Sequence, residues 1–338
     1  MTTAPAGPTG SEVRTLQWSD GVLTSQDFPL GAVAGHLKEP GALMWVDLCN
    51  PDAAQLTELA GQLGLDQRAL KDVDGQRTKA TRYATHTFLN IYATGLAPVI
   101  PGDIDSRLLT ARISVFVLPS ALVTVRREDD PLKPVLDLDE VIRRWDDNSD
   151  LLRKGSPALL HELLDVVVEG HFDTIQSLDD AIESLEDGLF DDTGSNKTIQ
   201  RNTYRLRKEL VELRRIVLPM REVVNTLRRS DTDERDGWYD DLYDNVIRAA
   251  EWTESLRDMI TAVFETNLSL QDARLNIVVK KLTGWAAIIA MPTLVTGWFG
   301  QNIPYPGYSE PSGVVISALL SVLTSLVLYI MFKRRDWI

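Results

Sequence analysis

The chain has 338 residues, 44% of them hydrophobic and 25% charged, enough to bury a sizeable core in more than one structural unit and to exclude disorder as its default state. Its formal net charge of -14 lacks the basic balance that phosphate binding needs, so nucleic acid is excluded as a partner and cations are the more natural clients. The lone cysteine, Cys49, allows no intrachain disulfide and reads as a packed residue of an apolar run.

Residues 1–11 are small, rich in Pro and Gly, and without the apolar stretch of a cleaved signal peptide; a disordered tail is expected. Residues 12–133 mix strand and short-helix patterns and predict an α/β domain. Arg14–Trp18 and Val22–Ser25 flank the turn-forming Ser19, Asp20 and Gly21, which predicts a hairpin. Leu43–Leu48 reads as a buried strand, and Asp52–Leu63 as a one-sided helix through Leu56, Leu59, Ala60 and Leu63. A short helix follows at Gln67–Val73. Thr87–Ala93, Ile113–Leu118 and Leu122–Arg126 are strand-like in their β-branched and aromatic content, with Pro119 and Ser120 turning the last pair.

Residues 134–237 read as helical. Ser156 and Pro157 are placed to cap and open a helix with Leu160, Leu163, Leu164, Val167 and Val168 on one side. That helix runs into seven carboxylates between Asp179 and Asp192 with no Lys or Arg among them. A solvated face is the ordinary reading of such a run, and concentration of cations the functional one. Gly194 and Ser195 predict a turn into a second helix at Lys197–Arg229, kinked at Pro219, to make an antiparallel hairpin. From Trp238 the apolar period continues to Phe299 with only Pro292 inside. At about 1.5 Å per residue such a helix spans about 90 Å, too long for a compact monomer, and residues 238–299 are expected to be the stalk of an oligomer.

Two uncharged apolar runs, Leu282–Phe299 and Gly313–Phe332, are each long enough to cross the roughly 30 Å hydrocarbon core of a bilayer. They predict transmembrane helices at 282–299 and 313–332; the alternative is a buried hairpin in a soluble protein. Lys280 and Lys281 precede the first run, and Lys333, Arg334 and Arg335 open the basic tail 333–338, whereas the loop 300–312 carries one charge, Glu310. This asymmetry predicts cytoplasmic termini and an outer loop.

The first run closes on Met291, Pro292, Thr293, Leu294, Val295, Thr296, Gly297, Trp298, Phe299, Gly300, Gln301 and Asn302. This segment resembles the CorA family of magnesium transporters, in which the first membrane helix ends in Gly-Met-Asn after a Pro/Thr segment, a Gly and an aromatic residue. Gln301 stands where Met is expected. Leu210–Val224 and Asp241–Asn245 resemble the family's cytoplasmic helices, and the order of parts fits over nearly the whole chain. The resemblance implies a homopentameric, funnel-shaped channel: an α/β cytoplasmic domain, a long helical stalk and two C-terminal transmembrane helices in the plasma membrane. It implies Mg²⁺ as substrate, with Co²⁺ or Ni²⁺ as surrogates, and neither enzyme activity nor an organic cofactor.

Residue by residue, the resemblance implies a selectivity filter at Gly300, Gln301 and Asn302, and pore-lining positions at Thr293, Ala290, Leu282, Asn276 and Glu265. It implies an intersubunit regulatory Mg²⁺ site at Asp241, with Asp244 as a nearby substitute. The usual partner carboxylate would fall at Thr94–Leu96, where there is none, so a solvated Asp is the alternative. The chemistry of the residues agrees with a filter. Mg²⁺ holds its water tightly, and a ring of Asn302 amide oxygens can accept hydrogen bonds from that water without forming the deep well of a carboxylate cage. Gly300 lets the backbone turn closely at the helix end. The spacing from Asn276 through Leu282 and Thr293 to Asn302 is read as one helix face. Leu282 suits a hydrophobic constriction, while Thr293 has the alternative of bonding a backbone carbonyl beside Pro292.

Three other readings compete. A zinc transporter resembling ZntB is kept open by Gln301, although soft-metal ligands are absent near the pore, where none of His36, His86, His161, His171 or Cys49 falls. A membrane-anchored sensor explains two spans and a stalk, but not the polar positions along the first span. His161, Glu162 and Asp165 resemble part of a zinc-protease helix, yet the second His one turn later is missing.

Overall fold

Along Ala42–Cys49 successive side chains enter two different cores, Leu43 and Trp45 on one face and Met44, Val46 and Leu48 on the other. That period of two makes this strand the centre of a sheet covered on both sides. The computed structural model describes residues 12–98, 107–128, 134–147, 154–189, 196–229, 237–301, 304–308 and 310–338. The expected tail at 1–11 and the turn at Gly194 and Ser195 lie outside them. Contacts divide the chain into two units, Met1–Thr261 and Ala262–Ile338.

The first unit holds a seven-stranded sheet made of β1 (Glu12–Ser19), β2 (Val22–Gln26), β3 (Ala42–Cys49), β4 (Lys79–Arg82), β5 (Thr87–Leu96), β6 (Leu108–Leu118) and β7 (Ala121–Arg127). Their order is β2-β1-β3-β7-β6-β5-β4, with β3 and β7 parallel and the other pairs antiparallel. The β1–β2 hairpin turns where expected, with Asp20 (φ 51°) and Gly21 (φ 84°) both left-handed, the twist that suits a two-residue hairpin. β4 was not legible in the sequence: Lys79, Ala80, Thr81 and Arg82 show no apolar alternation, because this edge strand pairs only with β5, and Lys79 is used to reach Asp72 at 2.7 Å.

One face is covered by α1 (Val33–His36), α2 (Ala53–Leu63) and α3 (Gln67–Asp72), which pack Val33, Leu59, Ala60 and Ala69 under the sheet. α2 starts on a capping box: Gln55 N donates to Asp52 Oδ1 at 2.8 Å, and Asp52 N donates to Gln55 Oε1 at 2.9 Å. The other face is covered by α4 (Leu138–Asp147), α5 (Ser156–Leu189) and α6 (Asn196–Arg228), together with the first turns of α7 (Trp238–Phe299).

One local expectation is corrected. Gly155 (φ 78°), not Ser156, occupies the cap of α5, its carbonyl accepting from Ala158 and Leu159. The Ser156 hydroxyl instead donates to the carbonyls of Leu118 and Pro119, tying α5 to the β6–β7 turn. α6 runs through Pro219 as one helix, with Val217 and Met220 on either side of the proline buried in packing.

Polar contacts inside this unit fix the helices. Arg126 on β7 grips Asp47 on β3 through Nε at 3.1 Å and Nη2 at 2.9 Å, both side chains being buried. The start of α7 is held by Tyr239, whose hydroxyl donates to Pro157 O at 3.0 Å, and by His161 Nε2, 3.2 Å from Trp238 O. His161 thus serves a backbone carbonyl rather than a metal. Cys49 is buried in β3, as expected.

His171 on α5 is fully buried and its Nε2 bonds Tyr92 O at 2.8 Å; burial lowers its pKa to about 4 although the Tyr92 bond pulls the other way. The folded pKa lies below the unfolded value of about 6.5, so no penalty exists above that pH and stability falls as pH drops from about 6.5 to 4, by about 3 kcal/mol in all. The expected outcome is that His171→Gln is less stable than wild type at pH 7.5 but loses less on acidification, in thermal unfolding of the detergent-purified protein. Parallel pH profiles for the two proteins would refute this role for His171.

Candidate functional site

In Ala262–Ile338 the usual rule of burial is reversed. Leu282, Leu294 and Val314 are 70%, 69% and 72% exposed, and no charge interrupts the apolar runs around them. Such surfaces need cover from hydrocarbon or from another chain, and α7 and α8 (Pro311–Arg334) are both long and apolar enough to cross a bilayer.

α7 meets α8 along one stripe. Trp285 and Tyr329 rings lie 6.4 Å apart, Gly284 accepts the side chains of Phe332 and Ile338, and Phe299 packs edge-on to Tyr305 at 5.0 Å. Between these contacts lies a groove of about 900 Å³, lined by Ile288, Pro292 and Thr296 on α7 and by Ser317, Ser321 and Ser325 on α8. Pro292 has no N–H for the preceding turn, so the helix is weakened at this level. The Thr296 hydroxyl donates to Pro292 O at 2.8 Å and lies 3.2 Å from Thr293 O. The hydroxyl serving the backbone beside the proline is therefore that of Thr296; Thr293 is left exposed.

α7 ends at Phe299. Gly300 N still bonds Thr296 O at 2.8 Å, and Gln301 N bonds Trp298 O at 3.3 Å, so the last turn tightens as it stops. A Cβ on Gly300 would stand 3.1 Å from Thr296 O, so glycine is used here for close approach and not for a left-handed φ. The chain then returns over the helix end. Tyr305 donates to Phe299 O at 3.1 Å, satisfying a carbonyl that the helix leaves without a partner, and Gly307 (φ 89°) touches Gly313 at the start of α8. Gln301 is exposed. Asn302 lies outside the described residues.

Thr293, Ala290, Leu282, Asn276 and Glu265 are all exposed in the single chain. They do not form one line. At about 100° per residue, Leu282 and Thr293 lie near each other around the axis, Glu265, Asn276 and Ala290 lie together, and the set spreads over about a third of the circumference. The spread is centred roughly opposite the stripe of Trp285, Ile288, Pro292 and Thr296 that α8 covers. A spread of this width is one broad helix face.

Asp241 and Asp244 are exposed near the start of α7, where carboxylates also favour the helix dipole. Thr94 is buried, 3.0 Å from the Thr174 hydroxyl, and offers no carboxylate. Among the described residues no three His, Cys, Asp or Glu side chains are grouped to hold a metal ion. Within one chain these residues do not fit a resident cation, and no gating step is assigned to them. Of the acidic run, Asp179 accepts from Trp252 Nε1 at 3.2 Å and Asp180 from Gln176 at 2.9 Å; Asp191 and Asp192 lie outside the described residues.

Residues 40–334 match the family model described as CorA-like Mg²⁺ transporter protein. The chain belongs to that family. A cobalt/magnesium transport protein CorA of Methanocaldococcus jannaschii is 26% identical over 88% of this chain and 92% of its own length. A zinc transport protein ZntB of Yersinia enterocolitica is 25% identical over 96% of this chain and 98% of its own length. The solved structure of the complete CorA magnesium transporter from M. jannaschii superposes with a TM-score of 0.73 at 21% identity, covering 96% of this chain and 98% of that one, which shows a shared fold. Membership in CorA makes the protein a membrane ion transporter and not an enzyme.

In this CorA chain, Tyr305, Thr296 and Gly313 were not singled out by sequence reasoning. The available signals were a hydroxyl four residues after a membrane proline and an aromatic soon after the tripeptide. A Cβ on Gly313 would collide with Gly307 O. The expected outcome for Gly313→Val is a loss of about 1–3 kcal/mol of stability and a clear fall in transport with normal membrane insertion. Thermal unfolding and ion uptake of the purified protein check it; an unshifted melt with full uptake would show that the loop does not depend on this contact.

Proposed function

We propose that the chain forms a pentameric channel in the plasma membrane, with both termini cytoplasmic, that admits hydrated Mg²⁺ down the membrane potential. The observation that carries this reading is the α7 face left free by α8. It bears Thr293 and the small Ala290 within the span and continues through Asn276 and Glu265 below it, so that an exposed hydroxyl at membrane depth is followed on the same face by an amide and a carboxylate, side chains suited to a water-filled path. Turned toward a common axis, five such faces make a pore with Leu282 as a hydrophobic ring. Gly300 and Gln301 stop the helix, so Asn302 follows at the mouth, where its amide oxygen accepts from the ion's water. A potential of 100 mV favours entry of a doubly charged ion by about 4.6 kcal/mol, so no other energy source is required.

Zn²⁺ is the second reading, favoured by the full-length similarity to ZntB. Against it, Ala262–Ile338 contains neither His nor Cys, the ligands on which soft-metal selectivity usually rests.

Both readings meet in one experiment: uptake of Mg²⁺, Co²⁺, Ni²⁺ and Zn²⁺ into liposomes containing the purified protein. Mg²⁺ uptake that Zn²⁺ does not outcompete is expected, with Asn302→Ala losing discrimination among the ions by about tenfold, the worth of one good ion contact. Leu282→Ala is expected to raise leak by widening the constriction. Absence of Mg²⁺ uptake beside a working control rejects the channel, and unchanged selectivity in Asn302→Ala removes that residue from the filter.

A further inference from the structure

The densest positive charge in Ala262–Ile338 lies where α7 and α8 meet, at the end away from Gly300. Lys280, Lys281, Lys333, Arg334 and Arg335 are exposed, and among the described residues none is paired with a carboxylate. The α8 end that carries three of them is built rather than loose. Asp336 (φ 54°) takes the left-handed conformation, Trp337 N bonds Phe332 O at 3.0 Å and Asp336 N bonds Lys333 O at 3.4 Å. This pair of reversed bonds is a Schellman cap, and its usual apolar contact is present as Trp337 stacked on Phe332 at 5.4 Å and 7°. Ile338 then fits against Gly284, where a Cβ would stand only 3.1 Å from it.

These contacts put the cation-bearing turns of the two helices at the same end of the pair. Lys281 precedes Trp285 by one turn and so shares the face of α7 that α8 covers. Lys333 lies 5.8 Å from the ring centre of Tyr329, the same ring that meets Trp285. Trp285, Tyr329 and Trp337 are the residue types that settle at headgroup level, and the groove between α7 and α8 opens beside Tyr329 and runs toward Gly300. A cationic mouth at headgroup depth, leading into an apolar groove along the membrane, matches one ligand chemistry: a phosphate diester carrying acyl chains.

We propose that Lys281, Lys333 and Arg335 bind the phosphate of an anionic phospholipid whose acyl chain lies in the groove past Tyr329, Leu326 and Ile288. The site is independent of which ion is carried, because it lies on the covered side of α7 and not on the free face assigned to the pore. It would lock α7 to α8 next to Leu282 and make transport depend on lipid charge.

The test is native mass spectrometry of the full chain in neutral detergent, with phosphatidylglycerol and phosphatidylcholine of equal chain length. Phosphatidylglycerol is expected to be retained about tenfold better by wild type. The combined variant Lys281→Gln, Lys333→Gln, Arg335→Gln should lose at least about tenfold of that binding, since each cation near an anionic surface is worth about fivefold. Phosphatidylcholine binding should not change, and Lys208→Gln on α6, outside Ala262–Ile338, should behave as wild type. Should the combined variant not fold, added salt must erase the preference of wild type for the anionic lipid. Equal retention of the two lipids, an unchanged preference in the variant, or displacement by glycerol phosphate as readily as by the lipid each overturns the proposal, the last assigning the cations to a soluble anion.

Discussion

Hydrocarbon offers no partner to a peptide N–H or C=O, and each group left unsatisfied there costs several kcal/mol. Much of what distinguishes Ala262–Ile338 answers that demand. The two spans are helices, which satisfy their own backbone. Pro292 leaves the carbonyl of the preceding turn without its N–H, and the Thr296 hydroxyl turns inward onto Pro292 O rather than standing free in hydrocarbon. Where α7 stops, Tyr305 takes the carbonyl of Phe299, and where α8 stops, Asp336 and Trp337 turn back their N–H groups onto Lys333 and Phe332. Gly300 and Gln301 stand at one of these stops, so their presentation depends on how the helix end is satisfied.

The same demand separates the two faces of α7. Small and aromatic residues pack it against α8 through Gly284, Trp285, Ile288 and Phe299, and this uses only one side. The other side keeps Thr293, Ala290 and Asn276 uncovered. A helix in this position has two chemistries to reconcile, hydrocarbon and a polar path, and an oligomer in which the uncovered faces meet reconciles both. In the first unit the corresponding work is done by water-excluding packing around a few satisfied polar groups, notably Asp47 with Arg126 and His171 with Tyr92.

Legibility in the sequence followed the strength of the local signal. The hairpin at Asp20 and Gly21, the capped helix after Asp52, and the long helix from Trp238 to Phe299 were readable because turn chemistry, capping and apolar period agreed at each. β4 was not, because an edge strand pairs on one side only and needs no apolar alternation. Ser156 was misassigned because a hydroxyl beside a helix start can cap it or bond elsewhere, and the carbonyls of Leu118 and Pro119 are adjacent only in the fold. The proposed pore positions, expected on one helix face, are exposed and spread over about a third of the circumference of α7, a width that residue spacing alone leaves undefined.

Sequence by itself determined the two spans, the basic flanks, the place of Gly300, Gln301 and Asn302 after the first span, and the family. Period, length and charge along the chain are local quantities, and the bilayer imposes them whatever the tertiary structure. Tertiary structure alone decided which face of α7 is covered, that Thr296 rather than Thr293 serves the proline, and that Tyr305 and Gly313 hold the turn behind the tripeptide. It also set Trp285 against Tyr329, some forty residues away in the chain, and so put the turns that carry Lys281 and Lys333 at the same end of the helix pair. The covered face is set by contacts between helices distant in sequence, which no periodicity within one element encodes; the bonds of Thr296 and Tyr305 are short-range, but which carbonyl each hydroxyl takes depends on the folded helix and its end.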